Sequence, residues 1–590
     1  MKYGIYKDDN VTSTVERIQN ILNEVGIEVE ETFFDFDKHS EFMPFSSRIK
    51  LFGINNIGTN GKGTSKENCR ASAYAEFMER LQNQVLETHN LSLCSDKFYY
   101  APDEKEYDKD TEKFLSENKY TKIFSACIPK EINNIPLKKV CIPYFNIRDN
   151  KIHYLPLLNF IFTSNGMAAG NTPEEALVQG FSEICERYVH KEVLKNKIFM
   201  PDIPKQHYIK YEKIKGLIDY IERLGWNVYI KDASIGLGLP VVCTVFENIK
   251  ENCFTYQFGA QPSLPVAIER TLTEIFQGGV PEKEDIKQLT VDIEDYSEKG
   301  IKRIFSTLTK QKRVFKKDSK IHKIFFKKDA KYKFSQKTWI SANKEYTNRE
   351  LLKILVNKVK TITDNNIYVR DVSFLGFPSY HIFIPEVSET RYYDNERLNL
   401  NKWLCFTENN ELPPQNIDSL ISAILFNIKY PFINRTIGLF IPDEYLLILC
   451  YILKNDIKNI TKYCDILKQK TKPDFIPRFL SQNGGLIDII YHYFKLKEQN
   501  EPNCAIKSIL HNIYNKNDIQ NFENLINNLN IEYITELISN SIKKTLNKNN
   551  TKSREQIELE NKINATKNKL IQKYMENTPN QLELAKIFNF

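Results

Sequence analysis

Short apolar runs alternate with helical periodicity along the chain from residue 1 to about residue 400. The runs KVCIPYFNI, YLPLLNFIF, LPVVCTVF and SYHIFIP have the length and the β-branched and aromatic content of buried strands. Segments with the 3.6-residue periodicity of amphipathic helices lie between them. This alternation predicts a mixed α/β domain over residues 1–400.

Strand signals become rare after Leu412, and helical patterns dominate the rest of the chain. Spacings of roughly 35 to 40 residues between short helices favour helix pairs of tetratricopeptide type, although no repeat consensus is present. We predict an all-α domain over residues 410–590, used for partner docking or dimerisation. Residues 380–402 are the predicted junction, and residues 547–567 are predicted to form a solvated connection to a last helix. The helical segments are EYLLILCYILKN, IKNITKYCDILKQ, GLIDIIYHYFKLKEQ and YITELISNSIKKTLN.

Composition excludes several classes of protein. The net charge of +7 comes from 82 basic residues dispersed among 75 acidic ones, so direct nucleic-acid binding is not predicted. The N-terminus has no apolar signal region, and no stretch approaches the ~18 apolar residues of a membrane span. A cytoplasmic protein is therefore expected. Eleven scattered cysteines without a CxxC pair predict buried, reduced thiols.

Two segments of the α/β region resemble each other. TNGKGTSKENCRASAYAEFMER (59–80) and SNGMAAGNTPEEALVQGFSEICER (164–187) each place an Asn-Gly turn and a loop of small residues before a helix. In the second copy, Thr172 is a suitable N-cap and Pro173 occupies the first turn, where proline is tolerated. Alignment from the Glu-Arg ends matches Glu76 with Glu183, Glu79 with Glu186 and Arg80 with Arg187.

Each of these helices carries a polar stripe opposite an apolar one. The stripes are formed by Ser72, Glu76 and Glu79 in the first copy, and by Glu175, Gln179, Glu183 and Glu186 with Arg187 at the margin in the second. A third stripe, Arg270, Glu274 and Gln277, lies in SLPVAIERTLTEIFQGG, where Gly278-Gly279 predicts the helix end.

Each of these features also has a structural interpretation. A charged stripe on a single helix is usually a solvated face. Glu175 could be part of a capping box, and Lys62 could be an exposed lysine in a loop. The shared loop and spacing favour three stripes that converge.

The composition of the converging stripes indicates a ligand. Clustered carboxylates repel one another and raise one another's pKa, and a bound divalent cation removes this repulsion. Oxygen ligands without His or Cys select magnesium. Asn-Gly turns ahead of helix N-termini, with Lys62 and Arg187, suit phosphates. The sequence predicts a magnesium–nucleotide site, and it has no GxxxxGK[ST] loop of a Walker-type NTPase.

These motifs resemble the YcaO family. The resemblance runs from Lys7-Asp8 through TNGKG, SAYAEFMER, KDASIGLGLPVVC and FGAQPSLPVAIERTLTEIFQGG to HIFIPEVSE. By length and layout, the chain is similar to the long bacterial subfamily whose namesake is described as an accessory factor of ribosomal-protein methylthiolation. The resemblance implies a YcaO-like ATP-binding domain of mixed α/β structure followed by the helical domain.

The resemblance also implies the site residues. The family's nucleotide site is marked by Sx3E, Ex3R and ExxQ signatures, which match Ser72 with Glu76, Glu183 with Arg187, and Glu274 with Gln277. Glu76, Glu183 and Glu274 are therefore also implied to be nucleotide-binding residues. The resemblance implies Mg2+ ligands at Glu76, Glu79, Glu183 and Glu186. Nucleotide contacts are implied at Lys7, Ser72, Asn165, Gln179, Arg187 and Gln277, with Lys62 added from the reasoning on phosphates.

Family chemistry implies ATP-dependent activation of a peptide backbone amide. A nucleophile adds to the amide carbonyl, ATP phosphorylates the oxyanion, and phosphate leaves to give an azoline, amidine or thioamide. A peptide or protein substrate and a homodimer are implied. Two alternatives stay open: a non-catalytic accessory factor that docks a methylthiotransferase or ribosomal protein, and an azoline-forming cyclodehydratase. The end QLELAKIFNF, in place of a proline-rich tail, disfavours azoline formation.

Three nearby residues are expected to be structural. His190 follows the second Glu-Arg pair and is predicted to pack or to lie at the surface rather than to act as a base. Cys185 lies on the apolar face of its helix, and Cys69 lies beside the acidic stripe of the first. Both thiols are therefore predicted to fill the core.

Overall fold

The computed structural model describes residues 6–34, 42, 44–54, 57–86, 93, 95, 97–98, 100–117, 131–132, 135–136, 140–157, 164–277, 290–291, 314–317, 321–341, 344–389, 417–418, 421, 442–469, 475–534, 536–537 and 554–590. Its internal contacts divide the chain into two compact units. Unit 1 consists of Met1–Lys119, Lys138–Tyr392 and Glu558–Phe590. Unit 2 consists of Tyr120–Leu137 and Tyr393–Ile557.

The helices are numbered in chain order. Unit 1 contains α1 (Val11–Glu24), α2 (Lys66–Gln82), α3 (Lys109–Glu117), α4 (Pro173–Asn196), α5 (Glu212–Arg223), α6 (Leu264–Glu274), α7 (His322–Phe326) and α8 (Asn348–Lys360). Unit 2 contains α9 (Asp443–Leu453), α10 (Ile457–Gln469), α11 (Phe475–Glu498), α12 (Asn503–Ile513) and α13 (Lys516–Asn528). The last two are α14 (Arg554–Glu576), which enters unit 1 at Glu558, and α15 (Leu584–Phe588).

All described strands except β5 and β6 belong to three sheets in unit 1. The strands, in chain order, are β1 (Val29–Phe34), β2 (Phe45–Leu51), β3 (Gly58–Gly63), β4 (Lys105–Glu106), β5 (Glu131–Ile132), β6 (Ile135–Pro136), β7 (Val140–Asn146), β8 (Lys151–Pro156), β9 (Met167–Ala169), β10 (Asn227–Asp232), β11 (Val241–Asn248), β12 (Cys253–Ala260), β13 (Thr290–Val291), β14 (Val314–Lys316), β15 (Tyr368–Asp371) and β16 (Ser379–Phe383). The sheet orders are β1-β2-β3, β4-β7-β15-β16-β9 with β8 on β7, and β10-β11-β12-β14-β13. The hairpin β5-β6 belongs to unit 2.

One arrangement recurs in all three sheets of unit 1. Two antiparallel strands pair with a third that leads directly into a helix: β1-β2-β3 into α2, β15-β16-β9 into α4, and β10-β11-β12 into α6. We call each a strand–helix module. In the second module the hairpin follows the helix in sequence, so the same arrangement is reached by a different chain connection.

The modules with α4 and α6 share backbone hydrogen bonds at the hairpin end. In the α4 module, Gly170 N–H donates to the carbonyl of Pro378 over 3.1 Å. In the α6 module, Gln261 N–H donates to the carbonyl of Pro240 over 3.1 Å. Each bond joins the residue after the third strand to the proline before the second strand of its hairpin. The two modules therefore repeat one local geometry.

Each module also contacts the next one. Helix α2 packs on β3 of its own sheet and on β9 and β16 of the second sheet. Helix α4 packs on β9 and on β12 of the third sheet. Helix α6 packs on β12 and on β3 of the first sheet. Through these helix–strand contacts the three modules form a closed ring.

The predicted fold class is confirmed: unit 1 is mixed α/β, and the described part of unit 2 is helical apart from one short hairpin. The strands β7, β11 and β16 lie in predicted apolar runs. Helices α9, α10 and α11 match predicted segments. The predicted helix in YITELISNSIKKTLN falls largely outside the described residues, and the tetratricopeptide-like pairing stays a prediction.

Two local predictions are wrong. Asn60-Gly61 is not in a turn, because both residues belong to β3; only Asn165-Gly166 is a turn, with Gly166 at φ 85°. Helix α6 ends at Glu274, before the predicted glycine stop, so Gln277 lies in the following turn.

The predicted solvated connection over residues 547–567 is also wrong in its described part. Residues from Arg554 onward form α14, and Thr566 is buried and donates its hydroxyl to the carbonyl of Gly26 over 3.1 Å. Residues 558–590 belong to unit 1, whereas the predicted boundary placed them in the C-terminal domain. Phe588 joins the core of unit 1, where its ring stacks on Phe145.

The described cysteines are free thiols, and all of them except Cys504 are buried, as predicted. None of the described helices is both long and apolar enough to traverse a lipid bilayer. The homodimer and the cytoplasmic location stay predictions.

Candidate functional site

Glycines let each site helix lie close to the strand before it. A Cβ atom on Gly61 would stand 2.0 Å from the carbonyl oxygen of Cys69 in α2. A Cβ atom on Gly259 would stand 2.9 Å from the carbonyl oxygen of Ala267 in α6. Real Cβ atoms do not approach backbone atoms so closely, so these positions require glycine. The small residues before the helices therefore set the strand-to-helix distance.

The three site helices share one spacing from their N-caps. The N-cap residues are Ser65 for α2, Thr172 for α4 and Ser263 for α6. The seventh, eleventh and fourteenth residues after each N-cap are Ser72, Glu76 and Glu79 in α2; Gln179, Glu183 and Glu186 in α4; and Arg270, Glu274 and Gln277 after Ser263. The residues of the three polar stripes therefore occupy equivalent places in the three modules.

The stripes of α2 and α4 are close enough to influence each other's ionisation. Burial raises the pKa of Glu79 well above its ordinary value, Arg80 opposes that shift, and the charges of Glu183 and Glu76 add to it. Burial also raises the pKa of Glu183, against Arg187 and Arg80. These carboxylates thus form one desolvated cluster across α2 and α4.

Arginines neutralise this acidic cluster. The Nη2 atom of Arg80 lies 3.4 Å from a carboxylate oxygen of Glu76, and its Nε atom lies 3.5 Å from one of Glu79. The Nε atom of Arg187 lies 3.7 Å from Glu183 and 3.9 Å from Glu186. Burial lowers the pKa of Arg80, but the surrounding carboxylates outweigh that effect and raise it.

Lys62 lies in the same cluster and is not an exposed loop lysine. Its side chain is 22% exposed and forms an ion pair with Glu274. Burial and then the charge of Arg270 lower the pKa of Lys62 to about 8, although Glu186 and Glu76 oppose the shift. Residues of all three helices therefore act on this one amine.

Two hydrogen bonds link α6 to the other modules. Arg270 donates from Nη1 to Oε1 of Gln179 over 2.5 Å. Gln277 donates from Nε2 to the carbonyl of Asn60 over 2.8 Å, although it lies beyond the end of α6. Gln277 is therefore held at the site by β3.

Lys7 and Asn165 make contacts elsewhere. The amine of Lys7 lies 2.8 Å from Oε1 of Glu175, at the start of α4, two turns before Glu183. Asn165 is buried and donates from Nδ2 to the carbonyl of Ser388 over 2.7 Å. The structure shows neither residue in contact with the acidic cluster.

The capping box at the start of α4 is only half formed. The backbone N–H of Glu175 donates to Thr172 Oγ1 over 3.2 Å, so the N-cap prediction is confirmed. Its carboxylate turns to the N-terminal segment instead, where it accepts from Lys7 and from the backbone N–H of Asp8 over 2.9 Å. The ion pair anchors residues 7 and 8 to the start of α4.

The side-chain chemistry of this cluster fits magnesium. Hard carboxylate oxygens brought together in a desolvated site, with Glu79 and Glu183 resisting ionisation, are stabilised by a divalent cation. Within the part of the chain that the structure describes, no three His, Cys, Asp or Glu side chains stand at the spacing of metal ligands. Coordination by this cluster would therefore require the glutamates to turn away from Arg80 and Arg187.

Sequence reasoning did not select Arg80 and Arg270 as site residues. Arg80 ends the first Glu-Arg pair, and the equivalence with Arg187 was the available signal. Arg270 lay on the third polar stripe, but its partner Gln179 on another helix could not be read from the spacing.

His190 and the two cysteines are structural, as predicted. The His190 ring stacks on Phe258 at 4.6 Å and meets Tyr256 edge-on. Burial lowers the pKa of His190 to about 3, so the ring is neutral near pH 7. Burial raises the thiol pKa to about 11 at Cys69 and about 12 at Cys185, which leaves both poorly nucleophilic.

The fold and this cluster define an α/β protein with a carboxylate-rich site that suits a magnesium-bound anion. A protein-family model described as YcaO cyclodehydratase, ATP- and Mg2+-binding, matches residues 60–388. The chain belongs to the YcaO family. The description of this family agrees with the predicted cofactors, ATP and Mg2+.

Two curated proteins are similar to the chain. The ribosomal protein S12 methylthiotransferase accessory factor YcaO of Escherichia coli is 29% identical over 404 residues, which cover 65% of this chain and 66% of that protein. An uncharacterized protein of Haemophilus influenzae is 31% identical over 293 residues, covering 46% of this chain and 49% of that protein. The matched regions therefore leave a third or more of each relative's length uncovered.

Solved structures are more distantly similar. YcaO from Methanopyrus kandleri, bound with AMPPCP and Mg2+, is 17% identical with a TM-score of 0.43 and covers 66% of this chain and 96% of that chain. A heterocyclase in complex with substrate and cofactor is 17% identical with a TM-score of 0.44, covering 66% of this chain and 54% of that chain.

Proposed function

We propose that this protein binds ATP with Mg2+ at the acidic cluster and activates a backbone amide, or a related group, of a peptide or protein. The observation that carries the proposal is the meeting of carboxylates from α2 and α4 around Lys62, which pairs with Glu274 of α6. Membership of a family described as ATP- and Mg2+-binding supports it.

Each group in the cluster has a place in this chemistry. Glu76, Glu79, Glu183 and Glu186 would hold Mg2+, which offsets negative charge on phosphoryl oxygens when bound. Lys62 and Arg187 would bind phosphate oxygens, Lys62 as a point charge and Arg187 through its planar fork. Ser72, Gln179 and Gln277 would donate or accept hydrogen bonds at the nucleotide. Lys7 and Asn165 would contribute only after leaving their present partners.

The proposed reaction converts the amide oxygen into a leaving group. A nucleophile adds to the carbonyl carbon, the resulting oxyanion attacks the γ-phosphorus of ATP, and ADP departs. The C–O bond then breaks with loss of phosphate, while a proton leaves the nitrogen or the nucleophile and a C=N or C=S bond forms, so that the nucleophile remains bonded to the carbon. The proposed setting is ribosomal-protein methylthiolation, which rests on the name of the Escherichia coli relative.

The same name favours a second candidate, a non-catalytic accessory factor that docks a methylthiotransferase or a ribosomal protein. Phosphate release from MgATP by the full-length protein, with and without ribosomal protein S12 and a methylthiotransferase, separates the two. The amide-activating function predicts ATP turnover that depends on the protein substrate. Nucleotide binding, seen as a raised melting temperature, without turnover under any of these conditions would favour the accessory factor. Failure to bind MgATP would overturn the amide-activating function, and it would also exclude an accessory factor that retains ATP as a bound ligand.

A further inference from the structure

Two short segments of unit 1 carry the positive surplus of the whole chain. Residues 205–215 contain four lysines and one acidic residue, and residues 323–337 contain six lysines and one acidic residue. Ten lysines against two acidic residues give a formal charge of +8, compared with +7 for the entire chain. The charge balance averaged over the chain therefore conceals a strongly basic part.

The fold places these two segments side by side, although they are distant in sequence. The rings of His207, in the first segment, and Phe334, in the second, have their centroids 4.8 Å apart. The amine of Lys327, in the second segment, lies 5.0 Å from the ring centroid of Phe199, just before the first segment. We call the surface formed by residues 205–215 and 323–337 the lysine surface.

Most charges of the second segment have no carboxylate partner. All six of its lysines are exposed. Lys327 forms an ion pair with Asp329 over 2.5 Å. Within the part of the chain that the structure describes, the other five form no ion pair; they are Lys323, Lys328, Lys331, Lys333 and Lys337. Exposed charges of one sign attract a polyanion and are stabilised when it binds.

Aromatic side chains are interleaved with these lysines. Tyr332 and Phe334 alternate with Lys331 and Lys333, and both rings are half-buried. The hydroxyl of Tyr332 donates to the carbonyl of Asp232 over 2.7 Å, and Phe334 packs against a hydrophobic cluster of unit 1. The rings are therefore held in place while part of each stays open to solvent.

We propose that the lysine surface binds single-stranded RNA. Ammonium groups bind a phosphate backbone with release of its counterions, and fixed aromatic rings between them are surfaces on which bases stack. The choice of RNA over DNA rests on the proposed function, because a ribosomal-protein substrate is bound to RNA in the assembled ribosome.

Two other anionic partners fit this surface less well. The centre of a protein–protein interface is depleted of charged residues, whereas lysines are spread over the whole lysine surface. A lipid bilayer is bound by apolar side chains that insert into it. Tyr332 and Phe334 are tied to the protein instead, by a hydrogen bond and by packing.

The lysine surface adjoins the third site helix without including the acidic cluster. The amine of Lys213 lies 2.8 Å from Oε1 of Glu269 in α6, and helix α5, which contains Lys213, packs on α6. Bound RNA would therefore lie beside the module that holds Glu274. We expect RNA and MgATP to bind at the same time.

Fluorescence anisotropy with a labelled oligouridylate of about 16 nucleotides tests the proposal on the full-length protein. The dissociation constant should be about 1 to 100 μM at physiological salt and should rise steeply between about 50 and 200 mM salt. Lys328→Glu, Lys331→Glu and Lys333→Glu combined should weaken binding by about tenfold or more. The slope of log affinity against log salt should fall by about 2, because three phosphate contacts contribute about 0.7 each.

A matched triple variant changes the net charge equally at exposed lysines outside the lysine surface: Lys109→Glu, Lys151→Glu and Lys458→Glu. Its RNA affinity should stay within about threefold of wild type, because charges more than about 10 Å away are screened by salt. Circular dichroism checks that each variant folds. Lys205→Glu with Lys215→Glu, in the first segment, should also weaken RNA binding, and this pair carries the test if the first triple variant unfolds.

Failure of this inference is distinguishable from failure of the proposed function. The triple variant of the lysine surface should keep the wild-type affinity for MgATP, and saturating MgATP should not displace RNA. Binding of RNA without binding of MgATP would refute the proposed function and leave the lysine surface as an RNA site. Absence of RNA binding at low salt, or equal weakening in the matched triple variant, would overturn the inference. Tighter binding of oligothymidylate, polyglutamate or phosphatidylserine vesicles than of RNA would overturn it as well.

Discussion

Lys62 of β3 and Glu274 of α6 form an ion pair that joins the first module to the third. Glu274 stands eleven residues after its N-cap, at the place that Glu76 and Glu183 hold in the other two helices. Lys62 thus forms an ion pair with one of three equivalent glutamates, and charged residues of the other two helices also shift its pKa. The pair shows how a residue from a strand completes a site built from helices.

The ionisation of Lys62 should control the pH dependence of nucleotide binding. Its pKa is lowered to about 8, so the amine is charged at pH 7 and loses its charge as the pH rises through about 8. We expect the dissociation constant of MgATP to rise over that interval. In Lys62→Arg the side chain stays charged, so the rise should be absent. Isothermal titration calorimetry from pH 6.5 to about 9.5 measures both, and parallel curves for the two proteins would contradict this role for Lys62.

Removal of one central carboxylate should strongly reduce ATP turnover. Glu183→Ala deletes a proposed magnesium ligand that acts on both Arg80 and Arg187, and ATP hydrolysis should fall by orders of magnitude, on the scale of 10²-fold or more. Glu192→Gln is the matched control, because Glu192 lies on the same helix and contacts only Asn196 among the hydrogen bonds described. Phosphate release at saturating MgATP provides the measurement. A rate in Glu183→Ala within a few-fold of wild type would exclude Glu183 as a ligand.

The acidic cluster should make stability depend on pH and on magnesium. Burial raises the pKa of Glu79 and Glu183 above their unfolded values, so their contribution to the free energy of unfolding is present at low pH and is lost as the pH rises through the raised pKa. Without metal, wild type should gain stability relative to Glu79→Gln when the pH is lowered from 8 toward 5.

Added Mg2+ should stabilise wild type at pH 8 more than Glu79→Gln, because the cation takes over the role of the proton. Differential scanning fluorimetry at several pH values compares the two proteins. A melting-temperature difference that does not change with pH would show that Glu79 ionises normally.

The sequence predicted the elements of the site better than their surroundings. Periodicity located α2 and α4, and at α4 Thr172 and Pro173 are also strong local signals of a helix start. The same local signals misplaced Asn60, since an Asn-Gly pair favours a turn, whereas pairing with β2 holds it in a strand. Tertiary pairing overrode the local preference.

Contacts between modules could not be read from periodicity. The bond from Arg270 to Gln179 joins residues distant in sequence, and the anchoring of Gln277 depends on β3 rather than on a continued helix. The three-module ring follows from sheet order, which spacing along one chain does not determine. The membership of residues 558–590 in unit 1 was missed because residues 547–567 have the polar composition of a linker and the last helix was assigned to the C-terminal domain.

The last residues of the chain should matter for the stability of unit 1. Phe588 is buried, and its ring contacts Phe145 and Phe181. Phe588→Ala should reduce the free energy of unfolding by about 3 to 5 kcal/mol, because it leaves a cavity in the core. Phe590→Ala is the control, since Phe590 is 40% exposed and its loss should cost less than about 0.5 kcal/mol. Urea unfolding measures both, and equal small effects would show that this segment does not pack on unit 1.

The most direct test of the nucleotide site is a crystal structure with a non-hydrolysable ATP analogue and Mn2+ in place of Mg2+, because the anomalous signal of Mn2+ locates the metal. We predict Mn2+ at ligand distance, about 2.0–2.3 Å, from carboxylates of α2 and α4, with the triphosphate between them and Lys62. Nucleotide and metal bound at another surface, with Glu79 and Glu183 still paired only to Arg80 and Arg187, would contradict the account.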